Sequence, residues 1–173
     1  MTTTKSPQGK VRPDPGLLGI YLNDHLTGAT AGMELARRMA GSQHMPDARD
    51  ELRRLADEIA EDRAALTQIM ETLGVPLRHY KVYLGWVAEK VGRIKPNGRL
   101  VGRSPLSDLL ELESLMLGVE GKAALWRVLR NIAGAERRLE TRRLDKLIER
   151  AQSQSRTLGE LHLKVASRTF HKT

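Results

Sequence analysis

The chain has 173 residues, the size of one ordinary domain, and it contains no cysteine. The lack of cysteine excludes disulfides, thiolate metal sites and cysteine nucleophiles, and it favours a cytoplasmic location. The chain has 29 Lys and Arg against 21 Asp and Glu, which gives a formal net charge of +8. This charge favours anionic partners, nucleic acid included, without identifying one.

The N-terminal region changes character near residue 17. Residues 1–16 contain basic residues and prolines but no apolar run, so we expect a disordered basic tail and not a signal peptide. Residues 17–173 are predicted to form one domain. Its first helix should run from about Leu17 to Ala40, because apolar residues recur there at three- and four-residue steps. Gly28 and Gly32 lower helix propensity, a cost most easily explained by a closely approaching neighbouring helix.

The second helix is predicted to begin after Pro46 and to end at Gly74, with a regular apolar stripe between them. Residues 75–103 break the helical pattern and are predicted to form a long connection that contains a short helix. This connection is the densest positive part of the chain. Its candidates for binding an anion are Lys90, Arg93, Lys95 and Arg99.

Two further helices follow the connection. Ser104 and Pro105 favour a helix start, since serine caps a helix and proline suits its first position. The apolar stripe of this third helix includes Leu117 and continues to Ile132. After Gly134, a fourth helix carries leucines on one face and arginines around them. No segment approaches the roughly 20 apolar residues that span a bilayer, so no membrane partner is expected.

Four long helices with one long crossover, between the second and the third, are typical of ferritin-like four-helix bundles. The local sequence also resembles ferritin-like proteins, especially the small bacterial stress-associated branch. The matching segments are YLNDH at 21–25, ALTQIMETLG at 65–74 and AQSQ at 151–154. The resemblance implies an all-α, ferritin-like four-helix bundle.

Working di-iron members of this superfamily place one Glu on each of two helices and Glu-x-x-His on each of the other two. This sequence contains no Glu-x-x-His. By register with the family, the two motifs would fall around 58–62 on the second helix and 151–154 on the fourth. Both segments depart from the pattern, so we expect that the standard di-iron site has been lost.

A rotation of 100° per residue shows which other polar groups lie towards the core. Residual metal-ligand candidates, one on each helix, are His25, Asp62, Glu113 and His162. The same rotation places Arg63 near the centre of the second helix. Because an inward arginine needs a carboxylate partner and repels a metal, we favour an Arg63–Glu113 ion pair across the core, with Gln154 completing the hydrogen bonds.

The sequence therefore predicts a non-catalytic ferritin-like bundle without a cofactor, which acts as a structural or interaction protein and self-associates as a homo-oligomer. An alternative is a degenerate metal-binding oxidoreductase that holds iron or manganese with the four residual ligands. A further alternative is a basic, nucleoid-associated DNA-binding protein that uses the positive connection.

Overall fold

The computed structural model describes residues 13–42, 45–78 and 105–171. Within these ranges all the regular elements are helical, which confirms the all-α class. A single 3-10 turn, Pro46–Ala48, leads into the second long helix. The long helices are α1 (Pro15–Ala40), α2 (Arg49–Leu73), α3 (Pro105–Ile132) and α4 (Thr141–Phe170).

Local signals in the sequence set the helix ends. The carboxylate of Asp14 accepts hydrogen bonds from the backbone N–H groups of Gly16 and Leu17, so α1 starts at Pro15, two residues earlier than predicted. Gly74 ends α2, as predicted, and has a φ of +69°, in the left-handed region that favours glycine. The α3 helix runs without interruption to Ile132, as its apolar pattern predicts.

Adjacent helices run in opposite directions. The α1 and α2 helices pack together, and Arg63 Nε donates a hydrogen bond to Thr30 Oγ1 between them at 2.8 Å. The α3 and α4 helices form a second antiparallel pair, with Arg130 Nε 2.7 Å from Asp145 Oδ1. The α1 helix also packs on α3, which brings the two pairs into one bundle.

The buried apolar side chains form two clusters. One cluster contains residues from 52–59 of α2, 109–119 of α3 and 158–165 of α4. The other contains residues from 65–73, 123–129 and 144–151 of the same three helices. Between the two clusters, each of these helices has a short stretch near its middle without a buried apolar side chain. The three stretches lie at the same level of the bundle.

The prediction that Gly28 and Gly32 mark a closely packed helix contact is wrong for the described residues. A Cβ atom added at either glycine would meet no atom of those residues within 4 Å. The α1 and α3 helices are separated along this stretch, so that the small residues line an open cavity between them.

Several predictions fall on parts of the chain that the structure does not describe. The basic tail is described only from residue 13, and Pro15 and Gly16 already belong to α1. The short helix predicted within 75–103 lies outside the described residues, and so do all four anion-binding candidates: Lys90, Arg93, Lys95 and Arg99. In the part that is described, none of the helices has the length and hydropathy needed to cross a membrane.

Candidate functional site: a polar layer in the helical core

One polar residue interrupts the apolar repeat of each of three helices at the level where the two apolar clusters meet. Buried positions recur at alternating steps of three and four residues along α2 (52, 55, 59, 62, 66, 69, 73), α3 (112, 115, 119, 122, 126, 129) and α4 (144, 147, 151, 154, 158, 161, 165). The polar members are Asp62, Lys122 and Gln154, which are 1%, 9% and 1% exposed. We call these three residues the polar layer.

The three side chains of the polar layer are in direct contact. Lys122 Nζ lies 2.5 Å from Asp62 Oδ2 and 2.5 Å from Gln154 Oε1, and donates a hydrogen bond to each. Gln154 Nε2 in turn donates to Asp62 Oδ2 at 3.3 Å. An ammonium group therefore lies between two oxygen acceptors from two other helices, and it links α2, α3 and α4 at mid-height.

Exposed and partly exposed residues complete the charge balance. Arg150 of α4 donates to the second carboxylate oxygen of Asp62, Oδ1, through Nε at 2.8 Å and also through Nη2. Glu58 of α2 accepts a hydrogen bond from Gln154 Nε2 at 3.0 Å. Arg150 also pairs with Glu61 through Nη1 at 2.6 Å, and Arg54 lies 3.9 Å from Glu58. The connected set thus contains three acidic and three basic side chains, and its formal charge is zero.

Burial lowers the pKa of Lys122 below its ordinary value of 10.5. The neighbouring Asp62 carboxylate opposes this shift by attraction and by its hydrogen bond, whereas the Arg150 guanidinium adds to it. The removal of the ammonium group from water is thus the largest influence on its protonation, and the carboxylate compensates for it only in part.

This donor set does not fit a di-iron centre. The two segments in which the sequence analysis expected these motifs, 58–62 and 151–154, do meet in the structure, through Glu58, Asp62 and Gln154. The groups that reach them, however, are an ammonium and a guanidinium, which donate hydrogen bonds and cannot ligate a metal. Among the described residues, no three histidine or carboxylate side chains cluster closely enough to hold a metal ion.

The predicted Arg63–Glu113 ion pair does not form. Arg63 is half-buried and binds Thr30 of α1, whereas Glu113 lies 3.1 Å from His162 of α4, between Oε1 and Nε2. The physical reason is the register. Asp62 and not Arg63 occupies the central position of α2, and the centre of α3 runs through Leu112 and so turns Glu113 towards α4.

Of the four residual ligand candidates, the structure brings only Glu113 and His162 together. Asp62 is held by Lys122 and Arg150. His25 lies at the cavity between α1 and α3, with its ring edge-on to Tyr21 and the ring centroids 4.6 Å apart. Gln154 points inward, as predicted, and completes the hydrogen bonds of a buried ion pair. That pair is Asp62–Lys122 and not the predicted Arg63–Glu113.

Lys122 is a functional candidate that the sequence prediction missed. The apolar stripe predicted for α3 includes Leu117, which is 75% exposed, and this inclusion shifts the apparent centre of the helix towards Glu113. A search for the strict three-four repeat over 112–129 finds Lys122 as its single non-apolar member, between Val119 and Trp126; one step earlier, near the start of α3, the repeat reaches the buried Asp108. Such a lone charge at a core position is a signal of a specific polar partner.

A cavity of about 700 Å³ lies beside the polar layer, between α1 and α3 with α2 at its base. Small residues of α1 and α3 line it, among them Gly28, Gly32 and Gly118. Asp62 and Lys122 also line it, so the polar layer and the cavity share two residues. Comparison with known proteins adds no further constraint, since no family model, curated protein or solved structure matches the chain.

Proposed function

We propose that this protein is a non-catalytic, ferritin-like helical bundle that serves as a structural or interaction protein and self-associates. The observation that carries the proposal is the position of Lys122 Nζ, 2.5 Å from both Asp62 and Gln154. In ferritin-like di-iron proteins, metal cations bind carboxylates at mid-bundle. Here a covalently attached cation neutralises the buried carboxylate and makes a bound metal unnecessary.

The ends of α2 and α3 support the ferritin-like connectivity. The chain after α2 lies against the N-terminal half of α1, where Asn23 Oδ1 accepts a hydrogen bond from the Arg78 N–H at 2.7 Å. The first turns of α3 lie against the C-terminal end of α1, where Arg38 pairs with Glu111 at 3.1 Å. Both α2 and α3 therefore run antiparallel to α1 and parallel to each other, which is the arrangement of the second and third helices in a ferritin-like bundle.

Charge balance supports a structural role for the polar layer over a catalytic one. Each oxygen of Asp62 already accepts hydrogen bonds from a cationic side chain, at Oδ1 from Arg150 and at Oδ2 from Lys122. A carboxylate held in this way is poorly available as a base or as a metal ligand. Buried ionic groups of this kind are best known for selecting one helix register, which suits a scaffold.

Self-association is supported by large apolar side chains on the α3–α4 face. Leu117 is 75% exposed and lies one helical turn after Glu113, while Leu163 is 68% exposed and adjoins His162. Because Glu113 and His162 contact each other across the two helices, the two leucines lie at similar levels of the α3–α4 pair. A second copy of the chain would remove this apolar surface from water.

Metal analysis tests the proposed lack of a metal centre. Protein purified without chelator should contain iron and manganese far below one equivalent, and Asp62→Ala should not change that content. Asp57→Ala, at an exposed position of the same helix, is the matched control. A full equivalent of metal that persists in Asp57→Ala and is lost in Asp62→Ala would overturn the proposal.

Analytical ultracentrifugation tests self-association independently. The wild-type chain should sediment as an oligomer, and Leu117→Gln combined with Leu163→Gln should shift it towards the monomer. Leu17→Gln alters a leucine of equal exposure, 68%, at the start of α1 and should leave the oligomer intact. A wild-type monomer at all concentrations would contradict this part of the proposal.

A further inference from the structure

A second cavity, a groove of about 540 Å³, lies on the surface between α2 and α4. Two side-chain contacts cross it. Arg143 Nη2 of α4 donates a hydrogen bond to Gln68 Oε1 of α2 at 2.5 Å. Arg150 Nη1 of α4 donates to Glu61 Oε2 of α2 at 2.6 Å. All four side chains line the groove, and the two contacts lie seven residues apart on each helix, about 10 Å along the axis, so they mark the two ends of a recess.

Small side chains leave room between the two contacts. On α2, the recess is lined by Ala64 and Ala65, which lie between the two crossing positions. On α4, Lys146 lies three residues after Arg143 and four before Arg150, so the three cationic side chains share one face of the helix. Lys146 is exposed, lines the groove and has no acceptor among the described residues.

The charges that line the groove are unbalanced. Arg143, Lys146 and Arg150 bring three positive charges, whereas Glu61 is the single carboxylate among the described residues that line it. Glu61 is already bound by Arg150. Arg143 contacts only the neutral amide of Gln68, and neither Arg143 nor Lys146 pairs with a carboxylate in the described part of the chain. One end of the groove therefore holds two cations whose N–H donors lack an anionic acceptor.

We propose that this groove binds the phosphate group of a small, soluble phosphate monoester between Arg143 and Lys146, with the rest of the molecule over Ala64 and Ala65. Side chains three residues apart on a helix have Cβ atoms about 5–6 Å apart, so one phosphate can accept hydrogen bonds from both cations. A phosphate monoester carries close to two negative charges at neutral pH and offers three acceptor oxygens. The planar guanidinium can bind two of these oxygens in parallel.

The shape of the groove favours a small soluble molecule over a polymer. Its two crossing contacts limit the recess to about 10 Å along the helices. Nucleic acid is instead bound by a continuous positive groove that follows many phosphates, each of which carries a single charge. The site goes beyond the proposed function, because it needs neither self-association nor the lack of a metal and would remain if that proposal failed.

Isothermal titration calorimetry with phenyl phosphate tests the proposal on the full-length protein, in a chloride buffer of constant ionic strength. Binding should be saturable. Methyl phenyl phosphate, a diester with one negative charge fewer, should bind about tenfold more weakly, because one charge-assisted hydrogen bond is lost. A diester that binds as tightly as the monoester, or no saturable binding of phenyl phosphate, would overturn the proposal.

Two pairs of charge-matched variants locate the binding. Arg143→Gln and Lys146→Gln should each weaken phenyl phosphate binding about fivefold or more. Arg156→Gln and Lys164→Gln remove the same charges at exposed positions of α4 that do not line the groove, and they should leave the affinity unchanged. Equal losses in all four variants would show that the ligand responds only to the net charge of the protein and would refute the site.

A second matched pair tests the recess itself. Ala64→Leu fills the space between the crossing contacts and should weaken phenyl phosphate binding about fivefold or more. Ala124→Leu makes the same change at an exposed position of α3 outside the groove and should have no effect. Equal affinities in the two variants would place the ligand elsewhere.

Two competitors identify the source of the phosphate. Vesicles with phosphatidic acid present a phosphate monoester on a membrane, and duplex DNA presents diesters on a polymer. Neither should displace phenyl phosphate at an equal concentration of phosphate groups. Displacement by either competitor, together with its binding to the wild type and loss of that binding in Arg143→Gln, would overturn the assignment to a small soluble molecule.

Discussion

The ammonium nitrogen of Lys122 on α3 lies 2.5 Å from Oδ2 of Asp62 on α2, and neither residue is more than 9% exposed. Such a pair balances the attraction between its two charges against the cost of removing both from water. Removal of Lys122 leaves Oδ2 of the buried Asp62 without its cationic donor and the carboxylate paired only with the partly exposed Arg150 among the described residues. Removal of both Asp62 and Lys122 leaves an apolar gap that similar-sized side chains can fill. The single and double replacements should therefore differ strongly.

Lys122→Met should lower the free energy of unfolding by about 3 kcal/mol, because Asp62 then loses its buried cationic partner. The double variant Asp62→Leu/Lys122→Met should recover about 2 kcal/mol or more of that loss. Urea denaturation at pH 7 measures both values. Lys146→Met, at an exposed position of α4, is the control and should change stability little. A double variant less stable than Lys122→Met would contradict the structural account of the pair.

Lys122→Glu should convert the polar layer into a weak site for a divalent cation. Three carboxylates, from Glu58, Asp62 and the new glutamate, would then approach one another, and their repulsion should destabilise the protein by about 3 kcal/mol or more. Millimolar Mn²⁺ should raise the melting temperature of this variant, because carboxylate oxygens suit that ion. Wild type and Lys146→Glu should show no such response. If Mn²⁺ leaves the melting temperature of Lys122→Glu unchanged, the three carboxylates do not approach one another as the structure indicates.

The helices and the level of the candidate site were predictable from the sequence, but the partners were not. Gly74 and Pro105 define helix ends through local backbone preferences, and these act regardless of the rest of the fold. The inward position of Gln154 also follows from the periodicity of one helix. Whether Asp62 or Arg63 faces the core depends on how α2 is rotated about its own axis, and the two positions differ by a single residue step. A rotation error of 100° exchanges the two, and only contacts with α3 and α4 determine it.

His25 should make the protein sensitive to mild acid. Burial lowers the pKa of His25 below 6.5, with Asp24 acting in the opposite direction, so the unfolded chain binds this proton more readily than the folded one. The stability that His25 contributes is complete above pH 6.5 and is lost as the pH falls from 6.5 towards the lower, folded-state pKa.

Urea denaturation between pH 7.5 and 5 tests this effect. The free energy of unfolding of His25→Gln should fall less over this range than that of the wild type. His171→Gln, at an exposed position just after α4, serves as the control and should keep the wild-type dependence. Parallel curves for His25→Gln and the wild type would exclude the contribution of His25.

Replacement by alanine should change the stability of the protein in opposite directions at two of its glycines. Gly74 has a φ of +69°, where a Cβ is strained, so Gly74→Ala should destabilise the protein by about 1 kcal/mol. Gly159 lies inside α4, with open space where the methyl group of an alanine would lie, so Gly159→Ala should stabilise it by about 0.8 kcal/mol through helix propensity. Thermal denaturation of the two variants and the wild type gives both signs, and equal signs would contradict one of the two assignments.

Asn23 holds the chain that follows α2 against α1. It is 2% exposed; its Nδ2 donates to the carbonyls of Gly19 at 2.8 Å and Pro76 at 3.1 Å, and its Oδ1 accepts from the Arg78 N–H at 2.7 Å. Asn23→Leu keeps the number and branching of the side-chain heavy atoms, removes all three hydrogen bonds and should cost about 2 kcal/mol.

Asn23→Leu should loosen the segment around Pro76 and Arg78 more than it lowers the free energy of global unfolding. The reason is that these two residues lose their only side-chain attachment to α1 among the described residues. Trypsin should therefore cleave after Arg78 faster in Asn23→Leu than in the wild type under native conditions, as mass spectrometry of the fragments would show. Asn23→Asp keeps the acceptor for Arg78 and loses both donated bonds, so its cleavage rate should be intermediate. Asn131→Leu, on the exposed side of α3, should cleave as the wild type does. Unchanged cleavage in Asn23→Leu would mean that other contacts hold this segment in place.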